Sequence, residues 1–243
     1  MNLGKAFQYP FEDREWASKI GLGALISLVP ILNFAMLGYI LEVMRRVQHS
    51  DPTPLPGWDD LGKKFMDGLM LFLAGFVYAL PVIILVGIPM ALIAIPAAVA
   101  ANSNSQGVAN AVATAGGFVG LCLSCILILY GIALSIVFPA IYLEYAAKGT
   151  FGACFNFKDI FARLRKDAGA YFTAWAVYLG ATIGVSLVSG IVGGLLGWIP
   201  CLGQLVVLVV GLASGFYVLL VFAHLFGQFA ALTAPTAPAA PAA

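Results

Sequence analysis

Cys122 and Cys125, in "CLSC", have the spacing of a redox dithiol. Such a pair reacts through a thiolate held by a helix N-terminus or by nearby cations. Here both lie inside an uncharged apolar run, which disfavours the thiolate, so they read as small packing residues. Cys154 and Cys201 are scattered and give no disulfide framework. Two carboxylates border apolar runs. Glu42 precedes Arg45 and Arg46 by one turn, and Glu144 precedes Lys148 by four residues, the spacing of ion pairs on a helix. Asp59, Asp60 and Asp67 are dense enough to suggest a cation site, but Lys63 and Lys64 compensate them. His224, in "AHLFGQ", is expected to be a hydrogen-bonded residue at a membrane interface; His49 is a loop residue, and neither has a second histidine with which to make a metal site. There is no Gly-rich phosphate loop, zinc motif or catalytic triad. The chain is therefore expected to be non-enzymatic and to need no cofactor. An enzyme would require Glu42, Glu144 and His224 to converge.

The elements that carry these residues follow from composition. The 243 residues are 62% hydrophobic and 9% charged, with a mean hydropathy of +0.99. A soluble domain carries about 25% charged residues. Apolar runs lie at about 20–44, 68–95, 116–143, 171–197 and 201–228. Each is near or above the roughly 20 residues that a helix needs to cross the hydrocarbon core. The runs are apolar all round, without the alternation of barrel strands. Backbone groups in lipid must be satisfied within the segment, so the fold class is all-α and polytopic. Residues 1–228 are expected to form one integral membrane domain, and the Ala/Pro-rich residues 229–243 a disordered tail.

All formal charge is confined to residues 5–19, 42–67 and 144–167. The positive-inside rule then makes two long hairpins, runs two with three and runs four with five, whose charged ends and C-terminus face the cytoplasm. Acidic residues Glu12, Asp13 and Glu15, and an overlong apolar run, argue against a cleavable leader. In the first run, "SLVPILNFAML" places Pro30 and Asn33 in apolar sequence. Proline breaks a helix and asparagine caps a new one. The expectation is a broken, re-entrant hairpin with a cytoplasmic N-terminus, the alternative being one kinked span. "GWIPCLGQ", with Pro200 and Gln204, repeats the device between runs four and five.

Two amphipathic stretches are expected to form interfacial helices ahead of the long hairpins. In "NFKDIFARLRKDAGAYF", Phe157, Ile160, Phe161 and Leu164 recur at helical spacing, with Asn156 and Asp159 placed as an N-cap. In "PGWDDLGKKFMDGL", Trp58, Leu61, Phe65 and Leu69 make the apolar side. At an offset of 100 residues Asp59/Asp159, Lys63/Arg163 and Asp67/Asp167 coincide, which suggests a parallel duplication. The fourth run is rich in small residues at spacing four (Gly180/Gly184, Gly190/Gly194) and is expected at the centre of the bundle, with a homo-oligomer seam as the alternative. Residues 96–117 read as a flexible outer loop.

"YPFEDREWASKIGLGALISLVPILNFAMLGYILEVMRRV", "PLPGWDDLGKKFMDGL", "FPAIYLEYAAKGTFGACFNFKDIFARLRKDAGAY" and "AHLFGQ" occur in that order. Together they resemble the prokaryotic membrane proteins called domain of unknown function 4013, from about Tyr9 to Gln228. The resemblance implies a membrane location and carries no catalytic residues. The expected role is an accessory or scaffold subunit of the cytoplasmic membrane. Lys63, Lys64, Arg163, Arg165 and Lys166 would contact anionic headgroups or a protein partner, not nucleic acid. The alternative is a small permease for a neutral or apolar solute, with its site at Pro30, Asn33, Pro200 and Gln204.

Overall fold

The computed structural model describes residues 1–102 and 106–234. These form eight α-helices: α1 Leu3–Glu12, α2 Trp16–Ser27, α3 Asn33–Gln48, α4 Leu61–Asn102, α5 Gln106–Lys148, α6 Phe157–Lys166, α7 Ala168–Leu196 and α8 Leu202–Leu232. A short 3-10 turn, Phe151–Phe155, precedes α6. Four stretches are long and apolar enough to cross a membrane: Leu61–Ala98, Asn110–Lys148, Ala168–Leu196 and Leu202–Leu232. Their large apolar side chains, such as Ile84, Leu129, Leu187 and Val209, are exposed, as they are when lipid is the solvent. The chain divides into two compact units, Leu73–Phe138 and the remainder.

In the larger unit α8 is the helix on which others pack. Phe216, Phe226 and Phe229 are fully buried. Tyr39 of α3 meets Phe216 at 5.4 Å between ring centroids, and Tyr171 of α7 meets Phe226 at 5.4 Å and Phe229 at 5.2 Å. The expectation that the Gly-rich fourth run would be central is corrected here. Added Cβ atoms on Gly180, Gly184, Gly190 and Gly194 would meet open space, and α7 turns that face outward. Tyr171 and Ala174 anchor it instead, at the other end.

The first apolar run is a hairpin. Lys19 in α2 and Tyr39 in α3 are twenty residues apart, yet both reach Trp58: its indole N–H donates to the Lys19 carbonyl (2.9 Å), and Tyr39 stacks on it at 4.4 Å. One straight span would separate them by about 30 Å. Proline is accommodated in a turn at residues 28–32, whose Leu28, Val29, Ile31 and Leu32 are exposed. Asn33 is the first helical residue; the cap position is Leu32, with no side-chain cap bond. With 12 and 16 residues, neither arm reaches the length of a full span. Asn2 N–H donates to Gln228 Oε1 (2.7 Å) and Gln228 Nε2 to the Asn2 carbonyl (3.0 Å), so the chain start lies beside the end of α8. α3 and α4 cross where two glycines meet. A Cβ on Gly38 would strike the Lys64 carbonyl, and one on Gly68 the Phe34 carbonyl.

Three further expectations change. Residues 96–117 are largely helical, α4 running to Asn102 and α5 starting at Gln106; residues 103–105 lie outside the described residues. The stretch from Trp58 is not a separate interfacial helix, because residues 51–60 are non-helical and Leu61 opens α4 directly. Composition puts the start of the tail at residue 229, but α8 continues through Leu232; residues 235–243 lie outside the described residues.

The smaller unit, Leu73–Phe138, pairs α4 with α5. Tyr130 donates its hydroxyl to the Tyr78 carbonyl (2.6 Å), and Tyr78 meets Phe138 at 6.0 Å. Cys122 and Cys125 lie here as free, exposed thiols.

Candidate functional site

The charged residues of the larger unit gather into two similar clusters. In the first, Glu42 accepts from Arg46 (2.9 Å), one turn along α3, and pairs with Lys64 of α4 (2.9 Å). In the second, Glu144 pairs with Lys148 (3.1 Å), one turn along α5, and accepts from Arg163 of α6 (2.7 Å). Each cluster is a carboxylate near the charged end of a helix, a cation four residues on, and a second cation from the next helical segment. The ion pairs expected at Glu42 and Glu144 are present, but the 100-residue offset matches Arg163 with Lys63, which is exposed, whereas the cation that pairs with Glu42 is Lys64. Asp67 does not join a cation site: it receives Arg45 (2.9 Å) and the Tyr145 hydroxyl (3.2 Å).

The five cations expected at a lipid or partner surface therefore separate. Lys64 is buried, and its ammonium also donates to the Asp59 carbonyl (2.7 Å). Arg163 is held by Glu144. These two are internal. Lys63, Arg165 and Lys166 are exposed, Lys166 donating to the Thr233 carbonyl (2.8 Å). Lys158, which sequence reading left out of the set, is exposed as well.

α6 gives those cations their setting. Asn156 caps it, accepting from the Asp159 N–H (3.4 Å) and donating to the Asp159 carboxylate (2.7 Å), in keeping with their spacing. Ile160 and Leu164 are buried, and Arg163 with Asp159 is tied to α5. At 100° per residue, Phe157, Phe161, Arg165 and Lys158 follow one another along the opposite edge. All four are exposed. An edge of two aromatic rings bordered by two free cations matches an interfacial helix, rings toward the acyl chains and charges toward phosphates. Lys148 hydrogen-bonds Asp159 and holds its carboxyl below the usual range, so this anchor stays ionised.

His224 is buried, stacked on Tyr9 at 4.3 Å and hydrogen-bonded to Gln228 (2.8 Å), so the hydrogen bond expected of it is present. It lines a polar pocket of about 280 Å³ with Asn2, Lys5, Glu12 and Asp51 among its other walls. Burial pushes the Tyr9 phenol well above its ordinary value, and its hydroxyl is spent on the Leu220 carbonyl (3.0 Å). Sequence reading missed this pocket. The helical spacing of Leu3, Ala6, Phe7 and Pro10 marks α1, one of its walls, but nothing in the sequence brings the other walls to it. Glu42, Glu144 and His224 each have separate partners.

The residues offered for a solute site sit at tight turns. Pro30, Asn33, Pro200 and Gln204 are all exposed. The turns close on their own backbone, Val29 accepting from Asn33 (3.0 Å) and Pro200 from Leu202 (2.8 Å) across Cys201 at φ 63°. The second is a tight γ-turn; at the first, Ile31 and Leu32 line an apolar pocket of about 360 Å³ together with Ile26, Ala35, Leu61 and Phe65. Burial pushes the Cys154 thiol up to about 11, so it carries no thiolate at neutral pH. Among the described residues no cluster of His, Cys, Asp or Glu is arranged to hold a metal ion.

Fold and charge arrangement define a polytopic helical membrane protein with its charged residues gathered at the ends of the long apolar helices and in the segments that precede or join them. The chain belongs to a family of proteins of unknown function, DUF4013, whose model matches residues 22–198. α1 and all of α8, including "AHLFGQ", lie outside that match, although the resemblance read from the sequence reached them. No curated protein and no solved structure matches the chain.

Proposed function

We propose that this protein is a non-enzymatic accessory or scaffold subunit of the cytoplasmic membrane, which uses α6 to engage anionic headgroups or an acidic partner at the cytoplasmic face. The exposed edge of Phe157, Phe161, Arg165 and Lys158 carries this reading. The neighbouring acids are consumed: Glu144 and Asp159 are paired with Arg163 and Lys148, which leaves the outer cations uncompensated. A basic cluster of this kind attracts an anionic leaflet by about 1 kcal/mol per residue near the surface. The open Gly face of α7 supports a second contact, with a partner helix. On this reading both termini are cytoplasmic, consistent with Asn2 and Gln228 lying together.

The test is recovery of the tagged protein from native membranes in mild detergent, with bound lipids and proteins both identified. Anionic lipid or a stoichiometric acidic partner is expected, reduced about tenfold or more in the double variant Lys158→Gln, Arg165→Gln, from two surface cations at about 1 kcal/mol each. Recovery of neither, or recovery unaffected by the variant, would overturn the reading.

A further inference from the structure

The pocket between α1, the segment after α3 and the end of α8 joins three stretches far apart in sequence: residues 2–12, 47–54 and 224–228. Its chemistry follows from one amide. Gln228 Oε1 accepts from the Asn2 N–H, which can only donate, and Gln228 Nε2 donates to the Asn2 carbonyl, which can only accept. The amide orientation is thereby set, and the second Nε2 hydrogen points to His224 Nδ1 at 2.8 Å. Nδ1 is then an acceptor, and the neutral ring carries its proton on Nε2. The ring is one wall of the pocket, and this N–H is the donor it has left to offer a ligand.

The other walls carry charge of both signs. Lys5 and Glu12 are exposed, and neither enters an ion pair among the described residues. Asp51 holds the Thr53 N–H (2.9 Å) and hydroxyl (3.2 Å) on Oδ1, which leaves Oδ2 open. The cavity thus offers an ammonium and an imidazole N–H for an anion, and two carboxylates for a cation that can donate hydrogen bonds. Its volume of about 280 Å³ lies at the lower end of ligand pockets, roughly 300–1,000 Å³, and suits a small polar group. Close by on the chain, Phe11 and Trp16 are exposed and meet edge-on at 5.1 Å, aromatic residues of the type enriched at membrane–water interfaces.

We propose that this pocket binds a zwitterionic ammonium–phosphate group, as carried by phosphatidylethanolamine or by free phosphoethanolamine. The phosphate meets Lys5 and His224, and the ammonium donates to Glu12 and Asp51. A trimethylammonium has no N–H to give those carboxylates, so phosphatidylcholine is discriminated against, and an anionic headgroup without an amine leaves both acids unserved.

The full-length protein carrying Lys158→Gln and Arg165→Gln, so that α6 does not contribute anionic-lipid binding, is titrated in detergent with phosphatidylethanolamine, phosphatidylcholine and phosphatidylglycerol and read by native mass spectrometry. Phosphatidylethanolamine is expected to bind at least about tenfold more tightly than either of the others, from charge-assisted hydrogen bonds they cannot make. Glu12→Gln should erase most of that preference, whereas Lys5→Gln, which removes a phosphate contact common to all three lipids, should weaken each of them; both positions are exposed. Displacement of the lipid by free phosphoethanolamine at comparable concentration would assign the site to the soluble molecule, and failure to displace it would assign it to the lipid. Equal binding of all three lipids, tighter binding of phosphatidylglycerol, a preference that survives Glu12→Gln, or binding unaffected by Lys5→Gln would overturn the proposal.

Discussion

The two ion clusters use the same parts and bury opposite members. Around Glu42 the most buried group is the cation, with the Lys64 side chain 6% exposed against 29% for Glu42. Around Glu144 it is the acid, 4% exposed against 19% for Arg163. The cause lies in the segment after each helix. Beyond α3, a chain carrying Pro52, Pro54, Pro56 and Gly57 cannot form a helix, so the second cation comes from the first turn of α4 and is pressed under the Gly38–Gly68 crossing. Beyond α5, the capped helix α6 intervenes, supplies Arg163 from one face and keeps another face outside. One pairing scheme thus acts as an internal lock in the first half and as the mount of an exposed helix in the second.

Breaking the pairs tests that contrast, and removing the counter-ion of the buried member should cost most. Glu42→Gln strands Lys64 and should lower stability by about 3–5 kcal/mol, as for a buried pair that loses one partner. Thermal or denaturant unfolding in detergent would show it. Arg163→Gln should cost somewhat less, about 2–4 kcal/mol, because Glu144 retains Lys148 at 3.1 Å. It should also free α6, read as faster amide exchange over Phe157–Lys166. Arg46→Ala removes a partly exposed member and should cost at most about 1 kcal/mol. If Arg46→Ala matched Glu42→Gln, the buried-cation account of the first cluster would fail.

The smallest effect is acid sensitivity. The lowered carboxyl of Asp159 means that its pairing with Lys148 is fully present above the ordinary carboxylate range, about pH 4. The contribution is lost as pH falls through the depressed folded-state value. Asp159→Asn should remove that acid-side slope below about pH 4 and leave the pH dependence near pH 7 unchanged; an unchanged acid-side slope would place the acid sensitivity elsewhere.

Much of the architecture was legible because lipid leaves a chain few options. Long uncharged runs had to be helices, but proline alone did not mark the turns, since Pro81, Pro89 and Pro139 lie inside α4 and α5; at Pro30 the neighbouring Asn33, and at Pro200 the placing of charge, pointed to one. The cap of α6 was readable from two residues at fixed spacing. Residues 96–117 were misread because Asn and Ser were weighted over alanine, the strongest helix former. The fate of Lys64 and Arg163 was hidden for another reason: periodicity along one helix cannot say which cation faces a carboxylate on a different one. The polar pocket was beyond reach on the same ground, since Lys5, Asp51 and His224 meet only after the first hairpin folds back along α8.

The central claim, that the outer edge of α6 lies in the headgroup layer, is tested most directly by a spin label. Phe161→Cys, in a background with Cys122, Cys125 and Cys201 replaced, is labelled with a nitroxide and reconstituted in bilayers containing phosphatidylglycerol. Collision rates with oxygen and with a water-soluble nickel chelate then give its depth. The account predicts a label at the boundary of headgroups and acyl chains, drawn outward when Lys158 and Arg165 are both glutamine. A label as open to the nickel chelate as one at Asp60, an exposed residue of the connecting segment, would contradict it.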